Sequence, residues 1–140
     1  FKYTQYTEDP SLLEAISRTK DLEQKFYSGL LKSNCRVTSQ PDWGDVFIYI
    51  KSKNAIDAHS IKNYIISFRD ECHFHEEICE CIYKRLKDAF EPSELLVMCL
   101  YARRGGIDIN PVRASDINLI NLLADNLIDS KAIHIKTSKQ

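Results

Sequence analysis

Seven residues, VFIYIKS at positions 46–52, do most to limit the folds open to this chain. Val46, Ile48 and Ile50 alternate with Phe47, Tyr49 and Lys51, and both sets are β-formers, so the segment reads as a strand covered on at least one face. Helices downstream are expected to supply that cover. Ile61, Ile65 and Phe68, then Ile78, Ile82 and Leu86, recur at spacings of three or four, and the polar RDECH between the two sets divides two consecutive helices. Pro92 closes the second helix. LLVMCLYAR, 95–103, reads as another strand, followed by a turn at Arg103, Arg104, Gly105 and Gly106 and a third short strand, IDIN, that stops at Pro111. Upstream, SLLEAISRTKDLEQKFYSGLLK, 11–32, carries Leu22, Phe26 and Leu30 at steps of four, which predicts one amphipathic helix or two short ones.

Helix, strand, two helices, strand, turn, strand is an α+β order: a mainly antiparallel sheet with its helices on one face. So few strands leave open edges, and pairing between modules or subunits would satisfy the exposed amides, so an oligomer is expected. Residues 1–113 are taken as one module with a helical lead-in. Residues 114–140 form a tail with some helical spacing at Leu119, Leu122, Leu123 and Leu127.

Composition bounds the setting. With 140 residues, 44% of them hydrophobic, the chain suffices for one compact domain, and a net charge of −1 argues against a nucleic-acid coat. No apolar run approaches the roughly 20 residues that cross a bilayer. The opening FKYTQYTEDP has neither a basic flank nor an apolar signal core, so no membrane association and a cytoplasmic location are expected. Five cysteines, an odd number without small-domain spacing, fit reduced thiols.

Three segments carry chemistry. In NCRVTSQPDWG, Cys35 stands among polar residues seven positions before Asp42, and only a chain reversal brings thiol and carboxylate together. A cysteine nucleophile beside a proton-donating acid suits attack on an electrophilic carbon whose heteroatom must then be protonated. The competing reading makes Cys35 a small apolar residue and Asp42 a turn former. In ECHFHEEICEC, Cys72, His75, Glu76 and Cys79 share a helical face, which admits a zinc site, although Cys79 and Cys81 point about 200° apart on one helix. Phe74, His75 and Glu76 admit another use: an aromatic to stack on a base, a histidine to move protons, and a carboxylate to accept two hydrogen bonds from a guanine-like edge. In YARRGGIDINP, Arg103 and Arg104 precede Gly105 and Gly106, cationic forks beside a backbone open to close approach, or simply a tight hairpin. There is no GxGxxG after a strand to suggest a Rossmann fold.

NCRVTSQPDWG, YIISFRDECHFHE and YARRGGIDINP, in this order and at these separations, resemble the C-terminal module of the two-module form of the NADPH-dependent nitrile reductases that act on 7-cyano-7-deazaguanine in queuosine biosynthesis. The likeness covers roughly residues 20–113. It implies the tunnelling fold, an antiparallel sheet carrying a helix pair, with modules assembled into barrels. It also implies Cys35 as the nucleophile that forms a thioimide with the nitrile carbon, Asp42 as the acid that protonates the nitrile nitrogen, and His75 in proton delivery. Glu76 would recognise the pyrimidine edge and Phe74 would contact the base. NADPH would supply two hydrides, with Arg103, Arg104, Gly105 and Gly106 as candidate contacts and Lys62 and Arg69 as further ones. No metal and no direct nucleic-acid contact are implied.

The chain departs from the family at Asp57, Ala58, His59 and Ser60, where single-module relatives carry Glu-Ser-Lys-Ser. In two-module relatives that stretch belongs to the N-terminal module, so this chain is expected to be a C-terminal portion of a longer protein or one half of a split pair. The alternatives are a zinc-dependent hydrolase resembling GTP cyclohydrolase of the same fold, with Cys72, His75 and Cys79 as ligands, and a non-catalytic module that completes a partner's barrel.

Overall fold

The computed structural model of the chain describes residues 8–34, 41–69, 75–101 and 110–121. Four strands form one antiparallel sheet in chain order: β1 (Ala15–Asn34), β2 (Pro41–Ile56), β3 (Glu94–Tyr101) and β4 (Val112–Ala114). Two helices, α1 (Ala58–Ile66) and α2 (His75–Phe90), link β2 to β3.

The period-two reading of 46–52 holds and extends. Val46, Ile48, Ile50 and Ile56 of β2, with Leu95, Val97, Cys99 and Tyr101 of β3, face the helices. There they pack on Ile61, Tyr64, Ile65 and Phe68 and on Ile78, Ile82, Leu86 and Phe90. Burial at this scale is what drives the layers together, at about 1.5–3 kcal/mol for each large aliphatic or aromatic side chain. On the opposite face Tyr49, Leu96 and Leu119 form a smaller cluster. The first turn of the expected tail, helical at 117–121, therefore belongs to the fold.

Local signals explain the helix limits. Asp57 caps α1, its carboxylate accepting from the His59 amide at 3.0 Å. Glu76 and Glu77 sit in the first turn of α2 and Lys87 in its last, the arrangement that the helix dipole favours. Glu91 at φ 46° and then Pro92 end it.

Two expectations are corrected. Residues 15–34 are a strand, not a helix, and among the described residues of the expected helical lead-in only the short 3-10 turn Pro10–Leu12 is helical. Leu22, Phe26 and Leu30 are four apart, an even number, so the spacing that suggests a helical stripe also places them on one face of a strand. Register shifts at Ala15/Ser17, Arg18/Leu22 and Ser28/Leu31 break the alternation that would otherwise have been visible. The Gln24 side chain makes ladder-like bonds near the second shift, donating to the Asn54 carbonyl at 2.8 Å and accepting from the Ile56 amide at 3.0 Å. The last strand does not stop at Pro111: β4 is Val112–Ala114, and the Cys99 amide donates to the Pro111 carbonyl at 3.0 Å. Proline lacks a donor but keeps its acceptor, so it can enter an edge from the carbonyl side. Of IDIN, only Asn110 is described.

Candidate active site

The ladder between β1 and β2 runs through Ser33 opposite Asp42 to Asn34 opposite Pro41. The chain thus reverses between Cys35 and Asp42, as a meeting of the two requires, and the residue before Cys35 stands across from the residue before Asp42. Cys35 itself lies outside the described residues, as do Phe74, Arg103, Arg104, Gly105 and Gly106. Asp42 and His75 are described in backbone only.

The flanking elements show what the topology does with these segments. β2 begins at Pro41, and Gly44 pairs with Tyr101, the last residue of β3. The segment after Tyr101 therefore leaves the sheet at the end where β1 finishes and β2 begins. α1 runs back to that end: the Lys32 ammonium donates to the Arg69 carbonyl at 3.3 Å. α2 starts from there with His75 and Glu76 and runs to the far end, where Asn54 Nδ2 donates to the Phe90 carbonyl at 2.9 Å. The described residues that flank all three motif-bearing segments, far apart in the chain, thus lie at one end of the sheet. Glu76 is exposed in the first turn of α2, and its side chain is among those described there.

The cysteines separate by environment. Cys79 is fully buried, its thiol directed at the Val97 and Pro111 carbonyls, each 3.5 Å away. Cys81 faces another way, 3.9 Å from the Tyr64 hydroxyl. Burial, helped by the Glu8 carboxylate, pushes the Cys81 thiol up to about 11. The Cys81 thiol is therefore protonated and unreactive at neutral pH. The zinc reading needs Cys79 as a ligand, yet that sulfur points into the core against two backbone oxygens. Among the described residues no cluster of three or more histidine, cysteine or acidic side chains could hold a metal. No helix among them is long and apolar enough to cross a membrane.

Lys62 and Arg69 part company. Lys62 lines a cavity of about 370 Å³ between the middle of β1 and the start of α1, beside Phe26, Leu30 and His59. Arg69 lies at the motif-bearing end, its guanidinium carbon 5.8 Å from the centre of the Trp43 ring, and the Lys32 ammonium is 6.0 Å from the same centre. Sequence reasoning missed Lys32 and Trp43. The available signal was that Trp43, the only tryptophan in the chain, directly follows Asp42.

A sheet of this order carrying a helix pair on one face is the tunnelling fold, and the described chain superposes on a solved structure of the archaeosine synthase QueF-Like in the apo form with a TM-score of 0.59. That likeness spans 71% of this chain and 96% of the other at 19% identity, and concerns the fold. The chain belongs to the family of QueF-like proteins, whose pattern matches residues 41–118. The match takes in Asp42, Phe74–Glu76 and Arg103–Gly106 and begins six positions after Cys35. Similar curated proteins include the NADPH-dependent 7-cyano-7-deazaguanine reductases of Psychrobacter cryohalolentis, 50% identical over 116 residues, and Psychrobacter arcticus, 47% identical, each match covering 80% of this chain and 41% of the relative. The corresponding reductase of Acinetobacter baumannii is 46% identical over 109 residues, 78% of this chain and 40% of its own length. The chain thus spans about two fifths of the length of the curated relatives it matches.

Proposed function

We propose that this chain is the nucleophile-bearing module of an NADPH-dependent nitrile reductase that converts 7-cyano-7-deazaguanine to 7-aminomethyl-7-deazaguanine. The observation that carries the proposal is that the described residues flanking three motif-bearing segments lie at one end of the sheet, in a chain about half identical to reductases of that name over 80% of its length.

In this reading the Cys35 thiolate adds to the nitrile carbon. A C–S bond forms, one π bond of the nitrile breaks, and Asp42 donates a proton to the nitrogen as its charge develops, giving a thioimide with no leaving group. NADPH, when bound, supplies a hydride to that carbon. With a proton delivered by way of His75, the C–S bond then breaks, the thiolate leaves and an imine remains; a second hydride and proton give the amine. Glu76, presented at the start of α2, accepts from the ring N–H and exocyclic amine of the base, and Phe74 contacts its face. Arg103, Arg104, Gly105 and Gly106 belong to the cofactor side, where planar forks and an open backbone suit phosphate. Lys32 and Arg69, both near the Trp43 ring, offer a donor set of the same kind among the described residues. Such a reaction is expected in the cytoplasm, without a metal.

Because the chain spans two fifths of its relatives, the base pocket is completed by a second tunnelling-fold module, supplied by a longer form of the protein or by a partner chain, with homo-oligomers built on top. The open edge of β1, twenty residues long, offers amides for such pairing. Mass spectrometry after incubation with 7-cyano-7-deazaguanine tests the proposal. The assembled enzyme should gain the full mass of the nitrile, since addition expels nothing, and Cys35→Ala should gain none. An unmodified wild-type protein, or full turnover by Cys35→Ala, as a barrel-completing scaffold would permit, refutes it. Purified alone, the chain should form the thioimide poorly.

A further inference from the structure

We propose that Lys32, Trp43 and Arg69 form a binding point for the pyrophosphate of the dinucleotide cofactor; this rests on the reductase reading. Lys32 and Trp43 are cross-strand partners at the end of the β1–β2 ladder, and Arg69 reaches them from the end of α1. Both cations lie within 6.0 Å of the centre of one indole, and the Lys32 ammonium also donates to the Arg69 carbonyl at 3.3 Å. Trp43 is nonetheless 46% exposed.

Comparison with other cations of the molecule sets this trio apart. Arg113 also lies over an aromatic ring, 4.6 Å from the centre of Tyr83, but is neutralised by Glu80. Arg85 is held by Glu8 at 3.1 Å. Among the described residues Lys32 and Arg69 have no ion-pair partner, so two positive charges lie near one half-exposed ring with no described carboxylate beside them. An anion held by both would offset their mutual repulsion, and a guanidinium fork together with an ammonium matches the spread oxygens of a pyrophosphate.

Position chooses which phosphate. Lys32 is three residues before Cys35, a reach of at most about 10 Å at roughly 3.3 Å per residue, and Trp43 adjoins Asp42. The nicotinamide must lie against the carbon bonded to Cys35. The pyrophosphate is the next charged group along the cofactor, whereas the 2′-phosphate sits at its far, adenosine end.

The test uses the assembled enzyme, with NADP⁺ affinity measured calorimetrically and inorganic pyrophosphate as competitor. Lys32→Ala and Arg69→Ala should each weaken NADP⁺ binding roughly tenfold or more, as expected for a lost charge-assisted contact. Pyrophosphate competition should weaken in step, and KM should rise by the same factor for NADPH and NADH, which share this group. Thioimide formation, measured by mass without cofactor, should be unchanged. Lys32→Arg and Arg69→Lys, which keep the charge, should retain most of the affinity. Unaltered NADP⁺ binding in both alanine variants overturns the assignment. So does a loss confined to NADPH, which would place the 2′-phosphate here, or a loss of thioimide formation in the variants, which would put the trio in the nitrile pocket. Failure of the wild-type enzyme to form a thioimide would instead defeat the reductase reading beneath it.

Discussion

Replacing Gly44 by alanine tests how tightly the candidate site is built. A Cβ at Gly44 would stand 3.0 Å from the Leu100 carbonyl oxygen and 3.1 and 3.3 Å from the Cδ1 and Cε1 atoms of Tyr101. The carbonyl is part of the β2–β3 pairing and Tyr101 is buried in the main core, so neither can yield cheaply. Overpacking of this kind costs about 1–3 kcal/mol, against about 0.5–1 kcal/mol that alanine recovers over glycine in a strand. The clash should win, leaving a net loss of about 1–2 kcal/mol and a fall in melting temperature of about 4 °C per kcal/mol for a chain of this size. Gly29→Ala supplies the contrast. There the new Cβ would meet the end of the Asp45 side chain at 3.2 Å and the Tyr27 hydroxyl at 3.4 Å, groups at an exposed position that can move aside. Gly29→Ala should therefore lie within about 0.5 kcal/mol of wild type or be slightly stabilising. Urea titrations at matched conditions decide it. Equal midpoints for the two variants, or a Gly44→Ala protein as stable as the parent, would refute the claim that backbone and core rigidity at this end set the outcome. Because Gly44 pairs with the last residue of β3, the same variant should also lose turnover beyond its loss of stability.

Tyr64→Phe removes a hydroxyl that donates to the Glu8 carboxylate at 2.8 Å, leaving Glu8 to Arg85; a loss of about 1.5–3 kcal/mol is expected in denaturant titration, and a loss under about 0.5 kcal/mol would contradict it. The Cys81 thiol, raised by burial from 9.0 to about 11, favours folding while protonated, so its contribution is complete below pH 9 and disappears as pH climbs through 11; Cys81→Ala should show a shallower loss of stability across that window. Hydrogen bonds from Arg113 hold the Glu80 carboxyl below its ordinary value, so its stabilising effect is present at neutral pH and lost on acidification. In Arg113→Ala an NMR titration should find that carboxyl moved back up, with a stability cost of about 1 kcal/mol or less because the pair is half-exposed.

The contrast between β2 and β1 shows what a single sequence can disclose about such a fold. Val46, Ile48 and Ile50 sit in the middle of the sheet, where the pairing is regular and each faces the helices, so burial and alternation coincide. α1 and α2 were equally legible, because Ile61, Ile65 and Phe68, and Ile78, Ile82 and Leu86, face one core throughout. β1 has an open edge, carries helix-forming Leu, Glu, Gln and Lys on a largely exposed surface, and shifts register three times. Its local propensity and its even-numbered spacing both favour a helix, and only pairing with β2 along its length overrides them, a contribution that no window within 15–34 contains. The same reasoning applies to the site. Cys35, Asp42, His75 and Glu76 are candidates because the order and separation of their motifs resemble a known family, while their residue types alone leave structural readings open. Lys32, Trp43 and Arg69 acquire meaning only when the β1–β2 register and the return of α1 bring a strand end, its neighbour and a helix terminus around one ring. A contiguous motif can thus be read along the chain, whereas a cluster assembled across three elements cannot, since its defining quantity is a distance between residues up to 37 positions apart.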